Sequence, residues 1–396
     1  MRVLVTNVFG DLNKGDKALV ETLVNVLLEQ GATEISLVAI YNESLHNLRG
    51  VENIHKPLHR LSMPKKVLIF LYPFILFFGV LNIKFKHGFR WLISTRQLKL
   101  IEAYRNADLV LSCPGGFLED SNKSYYLNLY QLVLAILNKN KIIVAPQSIG
   151  PIKSKLGRTL LGWVLKNCEK VFVRETFSEN FLLQVIKVDR KKVLLSTDMA
   201  FYMKGVDYSQ EKNKSIMYST VVNWNFPESD DKDLAMKEYI SALVDVYNHI
   251  NKKYNKKIVI LNQVETDLPL AYKIQELLPS IVSVDKKSYS PEQMISMISK
   301  TEFFLGTRFH SCIFSMMSNV PFMAISYLPK TKGILDWMGL SNYNVDIYNI
   351  DEGYLKESVD SIIGNQEYHR KLIGDQVEML KRNDTFSSII HNYING

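Results

Sequence analysis

Short unbroken apolar runs alternate with stretches of helical spacing along most of this chain. Residues 3–7, 35–40, 109–112, 141–145 and 171–173 read as buried strands, and residues 17–29, 125–137 and 156–167 carry apolar side chains at helical intervals. Strands of that length separated by helices predict a parallel sheet with crossover helices on its faces. Residues 204–214, KGVDYSQEKNK, hold little that burial would stabilise and predict a domain boundary. Beyond it the alternation restarts, with strands at 216–222, 257–262, 281–284, 303–305 and 321–325 and helices at 233–251, 268–278 and from about Ser311. The pattern predicts a doubly wound α/β domain over residues 1–205 and a similar one over 206–367, with residues 368–396 forming a helix that returns to the first domain.

One tract departs from this pattern. Residues 67–83, VLIFLYPFILFFGVLNI, are almost wholly apolar and are flanked by Lys65, Lys66, Lys84, Lys86 and His87. As a helix they fall short of the roughly 20 residues that span a bilayer, and Pro73 and Gly79 weaken a span further. Lysines beside such a stretch suit peripheral contact with an anionic membrane, apolar side chains down and amines among the headgroups. A core or domain-packing helix is the other reading.

Composition narrows the partners. With 396 residues and 47% hydrophobic content the chain fills more than one core, and its net charge of +8 favours anionic ligands. The lysines are scattered through KKVL, NKNK and NKKYNKK without a basic aromatic module, so no nucleic acid partner is expected. Cys113, Cys168 and Cys312 form no CxxC pair, and the opening apolar run reads as a strand rather than a signal peptide. The expected setting is cytoplasmic, peripheral at the inner face of the cell membrane if residues 67–83 meet lipid. The one HxxxH spacing, His55 to His59, is broken by Pro57, so no metal site is expected.

The candidate chemistry lies where strands end. In Gly306-Thr307-Arg308-Phe309-His310 a strand gives way abruptly to a helix, and Gly306 permits close approach to unpaired backbone N–H groups. Arg308 offers a planar donor fork to carboxylate or phosphate, and His310 exchanges a proton near neutrality. The first strand-to-helix turn carries Asn13, Gly15 and Asp16, but its glycines at 10 and 15 do not make a GxGxxG nucleotide fingerprint. Asp16 reads either as a sugar ligand or base, or as a helix cap. Pro114-Gly115-Gly116 and Pro146-Gln147-Ser148 follow strands in the manner of ligand loops on a sheet's carboxyl edge. Arg174 and Glu175 follow another strand, where they form either an anion clamp or a surface ion pair, and Asp198 reads as a cleft carboxylate on similar terms.

Taken in order, NxGD at 13–16, PGG at 114–116, PQSIGP at 146–151, VRExxS at 173–178, GTRFH at 306–310 and Ser326-Tyr327 with Lys330 resemble the polysaccharide pyruvyl transferases, over roughly residues 1–340. The resemblance implies a GT-B-like fold, two Rossmann-like α/β domains facing across a cleft. It implies transfer of a pyruvyl group from phosphoenolpyruvate, with no further cofactor, to a sugar of a cell-surface polysaccharide or its lipid-linked precursor. It assigns donor binding and catalysis to Arg308, Phe309 and His310 and maps the family's other arginine to Arg174; on chemical grounds Gly306 belongs with the donor site, His310 is expected as general acid, and Asp16 or Glu175 as base. The family's usual RLH is RFH here, and Val222-Asn223-Trp224 stands where an arginine near a tryptophan is common. A sugar-nucleotide glycosyltransferase of the same architecture and a noncatalytic glycan or anionic-lipid binding protein are the alternative readings.

Overall fold

The computed structural model describes residues 1–10, 14–40, 45–57, 94–119, 122, 124–204 and 212–396. The apolar tract 67–83, Asn13, His59 and residues 205–211 of the polar stretch lie outside the described residues. Contacts divide the chain into two compact units.

The first unit comprises the N-terminal strand, Asp16–Met199 and Asp384–Gly396. Its parallel sheet contains β1 (Arg2–Val8), β2 (Glu34–Ala39), β3 (Val51–His55), β4 (Leu109–Ser112), β5 (Gly115–Leu118), β6 (Lys141–Ile149), β7 (Lys170–Val173) and β8 (Val193–Leu195). The order is β3-β2-β1-β4-β6-β7-β8, with β5 paired to β6. Helices cover both faces, so the central strands are apolar on both sides, and Val5, Leu37, Leu111, Ile143 and Phe172 are fully buried. Each such side chain contributes about 1.5–3 kcal/mol through removal from water. The final helix, Phe386–Asn395, sets Phe386 edge-on against Phe172 at 5.0 Å, and Asp384 accepts hydrogen bonds from the Thr197 N–H at 2.9 Å and from the Ser196 hydroxyl.

The second unit is built on Ala200–Asn383. Its parallel strands are β9 (Ile216–Thr220), β10 (Lys257–Leu261), β11 (Val282–Asp285), β12 (Phe304–Gly306), β13 (Phe322–Ser326) and β14 (Asn344–Asp346). They run in the order β11-β10-β9-β12-β13-β14. Both sheets therefore reverse strand order beside their first strand, β1/β4 in one unit and β9/β12 in the other, which is where doubly wound sheets open a crevice for ligands.

Three features differ from the pattern-based expectation. Strand β6 runs on through Pro146 to Ile149, because a register shift between Val144 and Gln147 lets a residue without an N–H sit inside it. Gln147 and Ser148 thus lie on a strand end rather than a loop, and Gly115 and Gly116 belong to β5, which pairs with it. The tail expected as one helix over 368–396 is two, Gln366–Arg382 and Phe386–Asn395, preceded by the helix Glu352–Gly364, and only the last belongs to the first unit. Among the described residues, no helix is long and apolar enough to cross a membrane.

Candidate functional site

Four strand ends of the second unit converge on one guanidinium. Arg308 follows β12 and is the N-cap residue of the helix Phe309–Met317. Its Nε donates to Asp267 Oδ2 at 2.7 Å and its Nη2 to Asp267 Oδ1 at 2.6 Å, while Nη1 reaches the Tyr327 hydroxyl at 3.3 Å. Asp267 lies beyond β10 and Tyr327 beyond β13. Asn223, beyond β9, donates its backbone N–H to the same Asp267 at 2.9 Å. Burial alone would depress the Arg308 pKa, but Tyr327 and Asp267 outweigh it and hold the group above its ordinary value. The cation is thus permanent and fixed in orientation by a bidentate carboxylate.

The turn beneath is tied down on every side. The Thr307 N–H donates to Thr220 O at 3.0 Å, and its hydroxyl shares a hydrogen bond of 2.8 Å with Tyr239, whose oxygen also accepts from the Val222 N–H at 3.3 Å. Ser311 bonds both Thr220 Oγ1 and Arg308 O at 2.7 Å. A Cβ on Gly306 would stand 2.5 Å from the Phe304 ring and 2.9 Å from Cys312 Sγ, so this strand end tolerates no side chain. Trp224 packs edge-on against Tyr327 at 4.8 Å and donates its indole N–H to the Tyr348 hydroxyl at 2.9 Å. Lys330 stands 5.6 Å over the Phe309 ring.

His310 is the second residue of that helix and is buried, with its ring edge-on to Phe309 at 5.1 Å. Gly15 groups with the second unit, and a Cβ there would lie 2.0 Å from His310 Nδ1. Glycine at position 15 is therefore what lets the imidazole occupy its place.

In the first unit the sequence-predicted residues line the carboxyl edge of the sheet. Arg174 is fully buried, donating from Nε to Ser148 Oγ at 3.0 Å and from Nη1 to Asp198 Oδ2 at 2.5 Å. Glu175 caps the short helix Thr176–Asn180, accepting from the Ser178 N–H at 2.8 Å and from the Ser178 hydroxyl. Burial pushes the Glu175 carboxyl up, and the Ser178 hydrogen bonds oppose that rise. Asp16 lies in the first turn of the helix Lys14–Glu29, near enough to Cys113 to add to the rise that burial imposes on its thiol. At the β1/β4 reversal, Asn7 Nδ2 and Gln147 Nε2 both donate to Ser112 Oγ, at 3.2 and 3.3 Å. The Asn7 Oδ1 and Gln147 Oε1 oxygens are buried and accept nothing from the described residues.

Sequence reasoning brought Arg308 and His310 to one turn but missed Asp267, Tyr239 and Asn223 as their support. Asp267 precedes Leu268-Pro269 at a helix start, where an aspartate reads as a cap. Its pairing with Arg308 spans 41 positions and leaves no local signal. No group of three or more His, Cys, Asp or Glu side chains suited to a metal ion occurs among the described residues.

A family model described as polysaccharide pyruvyl transferase matches residues 13–329. The amylovoran biosynthesis protein AmsJ of Erwinia amylovora is 20% identical over 405 aligned residues, covering 96% of each chain. Among solved structures, a glycosyltransferase from Rickettsia africae matches 100% of this chain and 99% of its own with TM-score 0.61 at 12% identity. The UDP-GlcNAc 2-epimerase from Neisseria meningitidis bound to UDP-GlcNAc matches 96% of this chain and 99% of its own with TM-score 0.56 at 14% identity. At these identities the structural likeness speaks for the fold, two parallel α/β units of GT-B-like architecture.

Proposed function

The chain belongs to the polysaccharide pyruvyl transferase family, and on that premise we propose that Arg308 and His310 carry pyruvyl transfer from phosphoenolpyruvate to a polysaccharide sugar. The observation that carries this reading is the division of labour on Arg308. Two of its N–H groups hold Asp267 and one meets Tyr327, leaving one on each terminal nitrogen for an anion. Those donors, with the adjoining helix amino terminus, suit the carboxylate or phosphate of the donor. Gly306 and Phe309 shape the turn that presents them. Arg174, paired with the buried Asp198 and held by Ser148, would serve the donor through its position at the edge of the first sheet rather than through unpaired charge.

In this scheme His310 delivers a proton to the methylene carbon of phosphoenolpyruvate, and a sugar hydroxyl adds to C2, losing its proton to a carboxylate. Asp16 takes that role in our proposal, while Glu175 holds Ser178 through both oxygens. A second sugar hydroxyl then forms the second C2–O bond as the C2–O bond to phosphate breaks, its proton passing to the now neutral His310, giving a ketal and inorganic phosphate. The buried acceptor oxygens of Asn7 and Gln147 suit sugar hydroxyls at the first unit's reversal, beside Gly115, Gly116 and Ser148. A lipid-linked acceptor would give residues 67–83 a role in peripheral membrane contact, which partitioning of a tract-polarised variant tests.

The decisive assay incubates the protein with phosphoenolpyruvate and glycans extracted from the producing cells, following phosphate release and acceptor mass. Transfer adds an anionic ketal and disappears in Arg308→Ala and His310→Ala. Undiminished transfer in both folded variants, or turnover of sugar nucleotides instead, overturns the assignment.

A further inference from the structure

The second unit carries another cleft that shares no residue with the Arg308 turn. It has a volume of about 460 Å³ and lies between the helices Glu352–Gly364 and Gln366–Arg382 and the turn Ser341–Tyr343. Tyr354, Glu357, Ser358 and Ser361 recur at helical spacing along one face of the first helix, and Tyr368 and Leu372 stand one turn apart on the second.

Its walls are aromatic and fixed. Tyr343 and His369 are joined by a hydrogen bond between the phenol and Nδ1, and the Tyr343 ring rests on Phe322 at 5.7 Å. Tyr368 lies edge-on to His369 at 5.1 Å and is 57% exposed, while Tyr354 is 40% exposed and donates to Asn342 O at 3.0 Å. Two large exposed aromatics on neighbouring helices are otherwise a solubility liability. Beside them stand the hydroxyls of Ser358 and Ser361 and one carboxylate, Glu357. Among the described residues that line the cleft there is no lysine or arginine, and burial holds the His369 imidazole below its ordinary pKa.

Exposed tyrosine rings, Tyr354 and Tyr368, flanked by hydroxyl and carboxylate groups match the alternating apolar C–H faces and hydroxyl rims of a sugar. A lone carboxylate with no cation repels an acidic ligand. We propose that this cleft is a second glycan site, taking a neutral segment of the acceptor polysaccharide and disfavouring segments that already carry the ketal carboxylate. It rests on the family's polysaccharide acceptor, and its function is to hold an unmodified stretch of polymer while transfer proceeds at Arg308.

The test titrates the whole protein, without phosphoenolpyruvate, with fragments of the producing cells' polysaccharide from which ketals have been removed by mild acid. Calorimetry and ligand-observed NMR read the binding. Binding should weaken about tenfold in Tyr368→Ala, the loss of one aromatic anchor, and also in Ser361→Trp, which fills the cleft while leaving Tyr354 and Tyr368 in place. Both variants should keep the wild-type kcat/KM on an acceptor of one repeat while raising KM for the polymer. Fragments that retain their ketals should bind more weakly than stripped ones. Wild-type binding in both folded variants, or equal affinity for stripped and ketal-bearing fragments, overturns the proposal. Cleft-dependent binding without transfer to any acceptor would instead sink the pyruvyl transfer reading and leave the cleft standing.

Discussion

The pairing of Arg308 with Asp267 makes lysine a poor replacement at that position. A lysine keeps the charge but cannot hold a carboxylate with two nitrogens while presenting two more donors to an anion. Arg308→Lys should therefore lower kcat/KM for phosphoenolpyruvate by roughly 10²-fold, the scale of losing one fixed charge-stabilising donor, with the melting temperature monitored as a fold control. His310→Gln should reduce kcat by about 10²–10⁴-fold with a smaller change in donor KM, as removal of a proton donor does. Lys212 offers a separate test in the second unit. Its amine donates to Ser299 O at 2.6 Å, and burial, with Arg370, depresses its pKa to about 8. The folded-state value lies below the unfolded one, so its stabilisation is present above about 10.4 and is lost as pH falls toward about 8. The stability difference between wild type and Lys212→Met should accordingly grow as pH rises through that window, measured by urea titration. At this scale sequence reasoning singles out residues whose chemistry is intrinsic, such as Arg308 and His310, which the proposed function rests on. It did not find Asp267, whose role comes from a partner 41 positions away.

At the scale of elements, caps and turns hold the strand ends in register. Ser290 and Gln293 form a reciprocal capping box on the helix Pro291–Ser299, so Ser290→Ala should cost about 1 kcal/mol in chemical denaturation. Tyr239→Phe removes the hydroxyl shared by Thr307 and the Val222 N–H and should cost about 1–3 kcal/mol, because it leaves buried groups at the Arg308 turn without a partner. The central strands were legible, since burial on both faces demands continuous apolar runs, and the observed β4 and the helix Tyr125–Leu137 keep the bounds the pattern predicts. The edge strands β3, β8 and β14 were not. VENIH, VLL and NVD are short, and VENIH and NVD are partly exposed and polar, as strands on a sheet margin are free to be. The strand through Pro146 was hidden because proline signals a loop unless a bulge accommodates it.

At the scale of the molecule, the fold class followed from alternation of strand and helix, which the two parallel sheets keep except where β5 follows β4 with no helix between. The division of the chain is less simple than its linear pattern. Residues Asp384–Gly396 lie beyond the second unit in sequence but pack on the first, through Phe386, Ile390 and Ile394. Phe386→Ala should destabilise the first unit by about 3–5 kcal/mol, visible as earlier loss of hydrogen-exchange protection in β7 than in β9 or β12. This arrangement also bears on how the chain is made. The face of the first sheet around Phe172 stays uncovered until residues 384–396 have been synthesised, so the earlier-made unit completes its packing only after residues 200–383 have been added. A stop codon just ahead of Asp384 would then injure the part of the enzyme made first.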